Sequence, residues 1–358
     1  MALGFRRTQV RRAGAFARRG LALAAFAAGA RAQQPAVQAS SPTTLVHGMT
    51  VSCQTSGREW ASDAFGPELE RLESLGVNWV SIHPYARIAA DGTVSWREFD
   101  PASGPAHVVR LIREAHARGL AIFVTPHLAY WGSPFRSRGE IDFAEPAARE
   151  RFFATYRRWI AALAAAAREA DAFAVGNELD RLVAHEAEWR RVVGEVRGLT
   201  SARLTYAANW TDFERVPFWD ALDAVGVQGY FPLSESADPS REELERGWDG
   251  VLVRLRAIHE RTGKPVVLTE LGYNCSLDAA RTPWSDRDAS GAERERAQAL
   301  QRRCLEVGLS VLERERAWLR GAFLWKWFVG PAPGENFVLD TPALREAIAR
   351  AWAPASAR

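Results

Sequence analysis

Lysine is nearly missing from this chain of 358 residues: of its 46 basic residues only Lys264 and Lys326 are lysine. The bias toward arginine and alanine reads as genome composition and carries no function. Cysteine is scarce too, limited to Cys53, Cys275 and Cys304. An odd count without metal-ligand spacing makes structural thiols the expectation, and only Cys53 and Cys275 fall where they could pair. A surplus of positive charge is absent from the body of the chain. The formal net is +3, but residues 1–32 hold seven arginines and no acid, leaving 39 basic against 43 acidic residues beyond them. A net of −4 there favours neither nucleic acid nor an acidic membrane surface as a partner. No Gly-rich phosphate fingerprint follows the first apolar stretch, where the chain reads GMTVSCQTSG (48–57), so a doubly wound nucleotide-binding sheet is disfavoured.

The N-terminus has the composition of an export signal. Arg6, Arg7, Arg11, Arg12, Arg18 and Arg19 precede the apolar run 21–29, and Ala30-Arg31-Ala32 supplies an A-x-A cleavage site with Gln33 as the mature start. That run is too short for a bilayer span, which needs about 20 residues. No cysteine follows the site to carry a lipid, and the arginine pairs leave the general and twin-arginine routes both open. The expected organisation is a signal peptide over 1–32, a linker rich in Ser, Ala, Gln and Pro over 33–44, and one catalytic domain over 45–358. The product would be a periplasmic or extracellular monomer without a membrane anchor.

From residue 45 an alternation of strand and helix begins and does not stop. Strand patterns fall at 45–53, 77–83, 120–128, 172–180, 203–210, 222–232, 265–274 and 319–329. Helical patterns lie between them at 63–75, 105–118, 146–170, 186–197, 241–261 and 291–316, with a short turn of helix at 217–221 and a last helix at 342–352. Alternation of this kind forces parallel pairing, and eight units close a single (β/α)8 TIM barrel of the α/β class. Loop insertions are expected near 84–104, 129–145 and 232–243.

Two strands end in a glutamate: AFAVGNELD (172–180) delivers Glu178 and PVVLTELGYN (265–274) delivers Glu270. Counted along the chain they are strands four and seven, nearly opposite in a ring of eight, and barrel chemistry sits at the C-terminal strand ends. Alternation places Val266 and Leu268 on the face of Glu270, filling the barrel interior, and Ala174 and Gly176 on the face of Glu178, leaving room. Two carboxylic acids across one bond hydrolyse glycosides, with retention when they stand about 5–5.5 Å apart and inversion when a water fits between them. One must be protonated while the other is ionised. His127 and Asn209 sit at strand ends on the same face, where they could bind sugar hydroxyls or simply be buried polar residues. Trp131, Trp210 and Trp284 lie in loops there and could stack on sugars, although with 14 tryptophans in the chain most are packing. Alternation turns Lys326 away from Trp325, which leaves it structural.

The sequence resembles clan A of the glycoside hydrolases and, within it, family 113, known for endo-β-1,4-mannanase activity. The similarity rests on LGVNWVSI (75–82), TPHL (125–128), VGNELD (175–180), YAANW (206–210), TELGYN (269–274) and FLWKWF (323–328). It implies that Glu178 is the general acid/base and Glu270 the nucleophile of a retaining double displacement on a β-linked glycan. It further implies that Asn177 binds the sugar 2-hydroxyl, that Tyr230 donates to the nucleophile, and that Trp325 lies beneath the reacting sugar. Strand two ends in His83-Pro84-Tyr85, which matches no mannanase subsite. A carbohydrate is the expected partner, and no cofactor or metal is called for.

Three other readings compete. A metal-dependent barrel hydrolase would want a His-x-His pair after strand one, where only His47 and Cys53 occur. A non-catalytic glycan-binding barrel has no need of both glutamates. An exo-β-glycosidase or transglycosylase acting on another β-glycan would carry the same pair, since loops set the subsites.

Overall fold

The protein is described by a computed structural model over residues 44–53, 57–96, 105–334 and 336–353. The expected export signal and nearly all of the expected linker lie outside the described residues. Eight parallel strands close a barrel. They are β1 (Val46–Ser52), β2 (Trp79–Ile82), β3 (Ala121–Val124), β4 (Ala172–Asn177), β5 (Arg203–Ala208), β6 (Val225–Gln228), β7 (Val266–Leu271) and β8 (Leu319–Phe328). Each pairs with the next in the chain, and β8 closes onto β1. The helices between them are α1 (Phe65–Ser74), α2 (Ala106–Ala117), α3 (Pro146–Ala166), α4 (Glu186–Arg197), α5 (Arg241–Thr262), α6 (Arg294–Arg314) and α7 (Pro342–Trp352). The expected (β/α)8 barrel is therefore present.

One unit is reduced. Between β5 and β6 the chain makes only 3-10 turns, Phe213–Arg215 and Trp219–Ala221, so the fifth crossover has no α-helix. Helix boundaries elsewhere follow local chemistry. Pro146 opens α3 at a first-turn position, where the missing N–H has no intrahelical partner to lose. Ser240 and Glu243 form a reciprocal capping box on α5, and Gly263 ends that helix at φ 67°, a left-handed conformation that costs glycine little.

Apolar residues of the outward strand faces join the helices in one large core, whereas the barrel interior is a small separate cluster of Trp79, Ala121, Phe123, Ala174, Ala207 and Phe323. Bulky rings are matched there by alanines, which fits a narrow eight-stranded barrel. A cavity of about 580 Å³ enters the interior from the N-terminal end, past Val46, Trp79, Phe123 and Val267, and includes neither glutamate.

The interior also corrects the expected strand faces. Val266 and Leu268 belong to the strand–helix layer, and it is Val267 that packs inside. Register shifts between Leu268 and Glu270 against β6, and between Leu268 and Leu271 against β8, mark a bulge that re-aims Glu270. In β4 the register shifts between Ala174 and Asn177. Gly176 consequently faces outward: a Cβ there would lie 2.7 Å from the Tyr206 ring and 2.8 Å from that of Trp189 on α4. A bulge breaks the period of two, so alternation counted from the middle of the strand fails at its end.

Candidate active site

The mouth at the C-terminal strand ends is built from these irregular ends. Asn177 closes β4, fully buried, and Glu178 follows at φ 50°, the left-handed region that non-glycine residues seldom occupy. Two bonds hold that turn: Glu178 N–H donates to the Ala207 carbonyl at 2.9 Å, and Leu179 N–H donates to the Tyr206 hydroxyl at 2.8 Å. Backbone conformations of this kind persist where surrounding structure over-determines them, and they cluster at functional sites.

Glu270 is only 4% exposed. Its Oε2 accepts a hydrogen bond from Tyr230 Oη at 2.5 Å, and its Oε1 lies 3.5 Å from His127 Nε2. Burial pushes its carboxyl up from the ordinary range, while the Tyr230 bond and the charge of Arg138 pull it back toward ionisation. Glu178 is half-buried and is likewise pushed up, first by burial and then by Glu270, against the pull of Arg138. A phenol bonds one glutamate and a guanidinium the other, and the charge of that guanidinium acts on both.

Asn177 is set by a relay of amides. Thr269 Oγ1 donates to Gln228 Oε1 at 2.9 Å, and Gln228 Nε2 donates to Asn177 Oδ1 at 2.7 Å. With its oxygen committed, Asn177 is left with a buried Nδ2 that has no hydrogen-bond partner among the described residues. An unsatisfied buried donor costs about 1–3 kcal/mol, and a ligand hydroxyl would recover it.

An aromatic wall stands beside Glu270. The rings of His83 and His127 stack at 4.9 Å, and Trp325 lies 5.2 Å from His83. Burial pushes both imidazoles well below their ordinary range; His127, Lys326 and Arg138 add to this for His83, and Arg138 for His127. Neither nitrogen of His127 has a hydrogen-bond partner among the described residues, nor does Nδ1 of His83. His127 does not extend β3. It sits on a separate strand, His127–Ala129, paired with Tyr85–Ile88 in a small three-stranded sheet over the mouth.

Other expected positions fall differently. Asn209 spends its side-chain oxygen on the backbone N–H and hydroxyl of Thr211, both at 3.2 Å, which builds a turn. Lys326 does not turn away from Trp325. Its Nζ lies 5.3 Å from the centre of that ring, because the β1–β8 register slips at Trp325 and alternation ends there. Trp131 is 55% exposed beside Tyr85, and Trp284, 45% exposed, stacks on Trp210 at 5.2 Å. Cys53 and Cys275 are not joined by a disulfide.

This mouth carries one buried and one half-buried carboxyl group, an amide donor without a hydrogen-bond partner among the described residues, and an aromatic wall. Over residues 49–335 the sequence matches Glycoside Hydrolase Family 113. The chain belongs to that family. It is therefore a glycoside hydrolase, and its substrate is a carbohydrate. Among solved structures it is similar to the GH113 β-mannanase AaManA from Alicyclobacillus acidocaldarius in complex with ManMIm, at 23% identity and a TM-score of 0.73, covering 86% of this chain and 97% of that one. A complex of a GH113 β-1,4-mannanase matches at 20% identity and a TM-score of 0.72, covering 86% and 99%. The glycoside hydrolase family 5 mannosidase from Rhizomucor miehei is more distant, at 12% identity and a TM-score of 0.55, covering 86% and 92%. At these identities the likeness is one of fold. No curated protein matches the chain.

Several residues of this family 113 site carried little signal in the sequence. Arg138, whose Nε and Nη2 both donate to Glu178 Oε2, at 3.1 and 2.7 Å, is one arginine in a chain full of them. Gln228 had a visible cue, a polar side chain inside the apolar run of β6. His83 and Tyr85 stood out as unmatched, and both line the aromatic wall. Asp180 ends the AFAVGNELD stretch that carries Glu178. Burial and the nearby Glu178 push its carboxyl up to about 7.

Proposed function

We propose that this hydrolase cleaves a β-linked glycan, β-1,4-mannan foremost, with retention of configuration. The observation that carries the reading is Glu270, buried at the mouth with Tyr230 donating to one oxygen, across from Glu178. A phenol hydrogen bond favours the ionised form, which suits a nucleophile. In the first step a Glu270 oxygen attacks the anomeric carbon and the bond to the leaving oxygen breaks. Glu178 gives that oxygen its proton. In the second step Glu178 takes a proton from water, the water oxygen bonds to the anomeric carbon, and the ester to Glu270 breaks. Asn177 Nδ2 would meet the 2-hydroxyl, where a bond strengthens as the ring gains oxocarbenium character.

Mannan as substrate is supported by the family and by the mannanases among the similar folds. Exposed tryptophans at two parts of the rim, Trp131 and Trp284, favour a polymer with sugars lying beyond the reacting one. A panel of β-mannan, glucomannan, cellulose, xylan and β-1,3-glucan tests the reading, wild type against Glu178→Gln and Glu270→Ala. Hydrolysis of mannan by wild type alone is the expected result. NMR of the first product should show the β anomer, and an α anomer would overturn the mechanism. No turnover on any glycan would favour a non-catalytic barrel. The arginine-rich N-terminus supports export, and N-terminal sequencing of the mature protein should begin at Gln33.

A further inference from the structure

Arg138 touches the acid/base glutamate in an unusual way. Both of its hydrogen bonds go to Oε2 of Glu178, and Oε1 makes none among the described residues. A forked pair would engage both oxygens and hold negative charge on each of them. Here one oxygen is anchored and the other is available to carry the proton toward the mouth. The seat of the arginine is built. Arg138 opens a short 3-10 turn, Arg138–Glu140, after β3, and its side chain is 16% exposed. Gly139 lies so close to Asp180 that a Cβ on it would stand 2.4 Å from Oδ2. The turn is thus held against the loop that carries Glu178, and no larger residue fits without moving one of them.

We propose that Arg138 is the positioning residue of the acid/base: it anchors Glu178 through Oε2, presents Oε1 to the glycosidic oxygen, and sets the pH at which the acid loses its proton. The inference rests on the glycanase reading above. Charged and titratable groups meet Glu178 from several elements. Arg138 comes from the β3 loop, Glu270 from β7, Tyr230 from beyond β6 and Tyr206 from β5. Asp180 stands on its own loop, backed by Asp212 and Arg215. Of these only Arg138 is a cation in contact with Glu178, so it is the group that opposes burial and the negative charge of Glu270. Without it the acid would hold its proton to higher pH, become a poorer base for the second step, and lose its orientation.

The test compares wild type with Arg138→Ala, Arg138→Gln and Arg138→Lys. The basic limb of the kcat/KM profile on an aryl β-mannoside should move up by roughly one to three pH units in the alanine and glutamine variants. The lysine variant should recover part of that shift. Substrates with poor leaving groups, which need the acid, should slow at least about tenfold, and those with good leaving groups should slow little. Infrared difference titration against Glu178→Gln follows the same carboxyl without any substrate. Thermal melts establish which variants are folded, and one folded variant is enough. An unmoved basic limb and an unmoved infrared titration in a folded variant would overturn the proposal. Absence of turnover by wild type would instead count against the glycanase reading, and the infrared titration would still decide the role of Arg138.

Discussion

Tyr230 Oη lies 2.5 Å from Glu270 Oε2, and this bond draws the strand-seven carboxyl back toward ionisation against its burial. Replacing Tyr230 by Phe leaves the shape and removes the donor. The Glu270 carboxyl should then hold its proton to higher pH, moving the acid limb of the rate profile upward. A hydrogen bond to a charged group contributes about 1.5–3 kcal/mol, so kcat/KM at neutral pH should fall roughly ten- to a hundredfold. An acid limb that stays in place would argue against the phenol tuning Glu270.

Asn177 offers a similar opportunity. Among the described residues its Nδ2 has no hydrogen-bond partner, while its Oδ1 is held by Gln228. Asn177→Ala should slow an ordinary β-mannoside at least about tenfold while barely affecting its 2-deoxy analogue. Equal losses on both sugars would mean the amide does not read the 2-hydroxyl.

Asp180 predicts a pH dependence of stability. Its carboxyl is raised from 3.8 to about 7, chiefly by burial and by Glu178. Between those values the folded chain holds a proton that the unfolded chain has released. Stability therefore declines as pH rises across that interval. Asp180→Asn should melt above wild type at pH 8, with the gap closing by pH 4. Parallel melting curves at both values would contradict the assignment.

Gly176 is a packing constraint behind the turn that carries Glu178. An added Cβ would meet the rings of Tyr206 and Trp189 within 2.9 Å. Gly176→Ala should cost about 1–3 kcal/mol of stability and lower activity, since Tyr206 also holds the Leu179 N–H. Calorimetry and turnover on the same preparation would show both losses or refute the coupling.

The barrel itself was legible because it rests on local patterns. Eight apolar runs separated by amphipathic helices and glycine stops can be satisfied by parallel pairing alone, and most helix ends lie within a few residues of their expected positions. The placing of Glu178, Glu270, Asn177 and Tyr230 at the C-terminal strand ends was legible too, since a strand end in a barrel of known order has a fixed address. Where each side chain points was not legible. Register slips in β4, in β7 and between β1 and β8 each reverse the facing just before the site. Val267 replaces Val266 inside, Gly176 turns outward, and Lys326 joins Trp325. A bulge depends on hydrogen bonds between strands distant in the chain, and periodicity within one strand carries no trace of it. The same holds for Arg138 and His83, brought to the carboxylates by loops whose paths only tertiary packing decides. The amino-acid sequence by itself determined the barrel and which carboxyl groups stand at its strand ends. Tertiary structure decided their aim, their partners and their protonation, because burial and facing are properties of the closed ring and not of any strand alone.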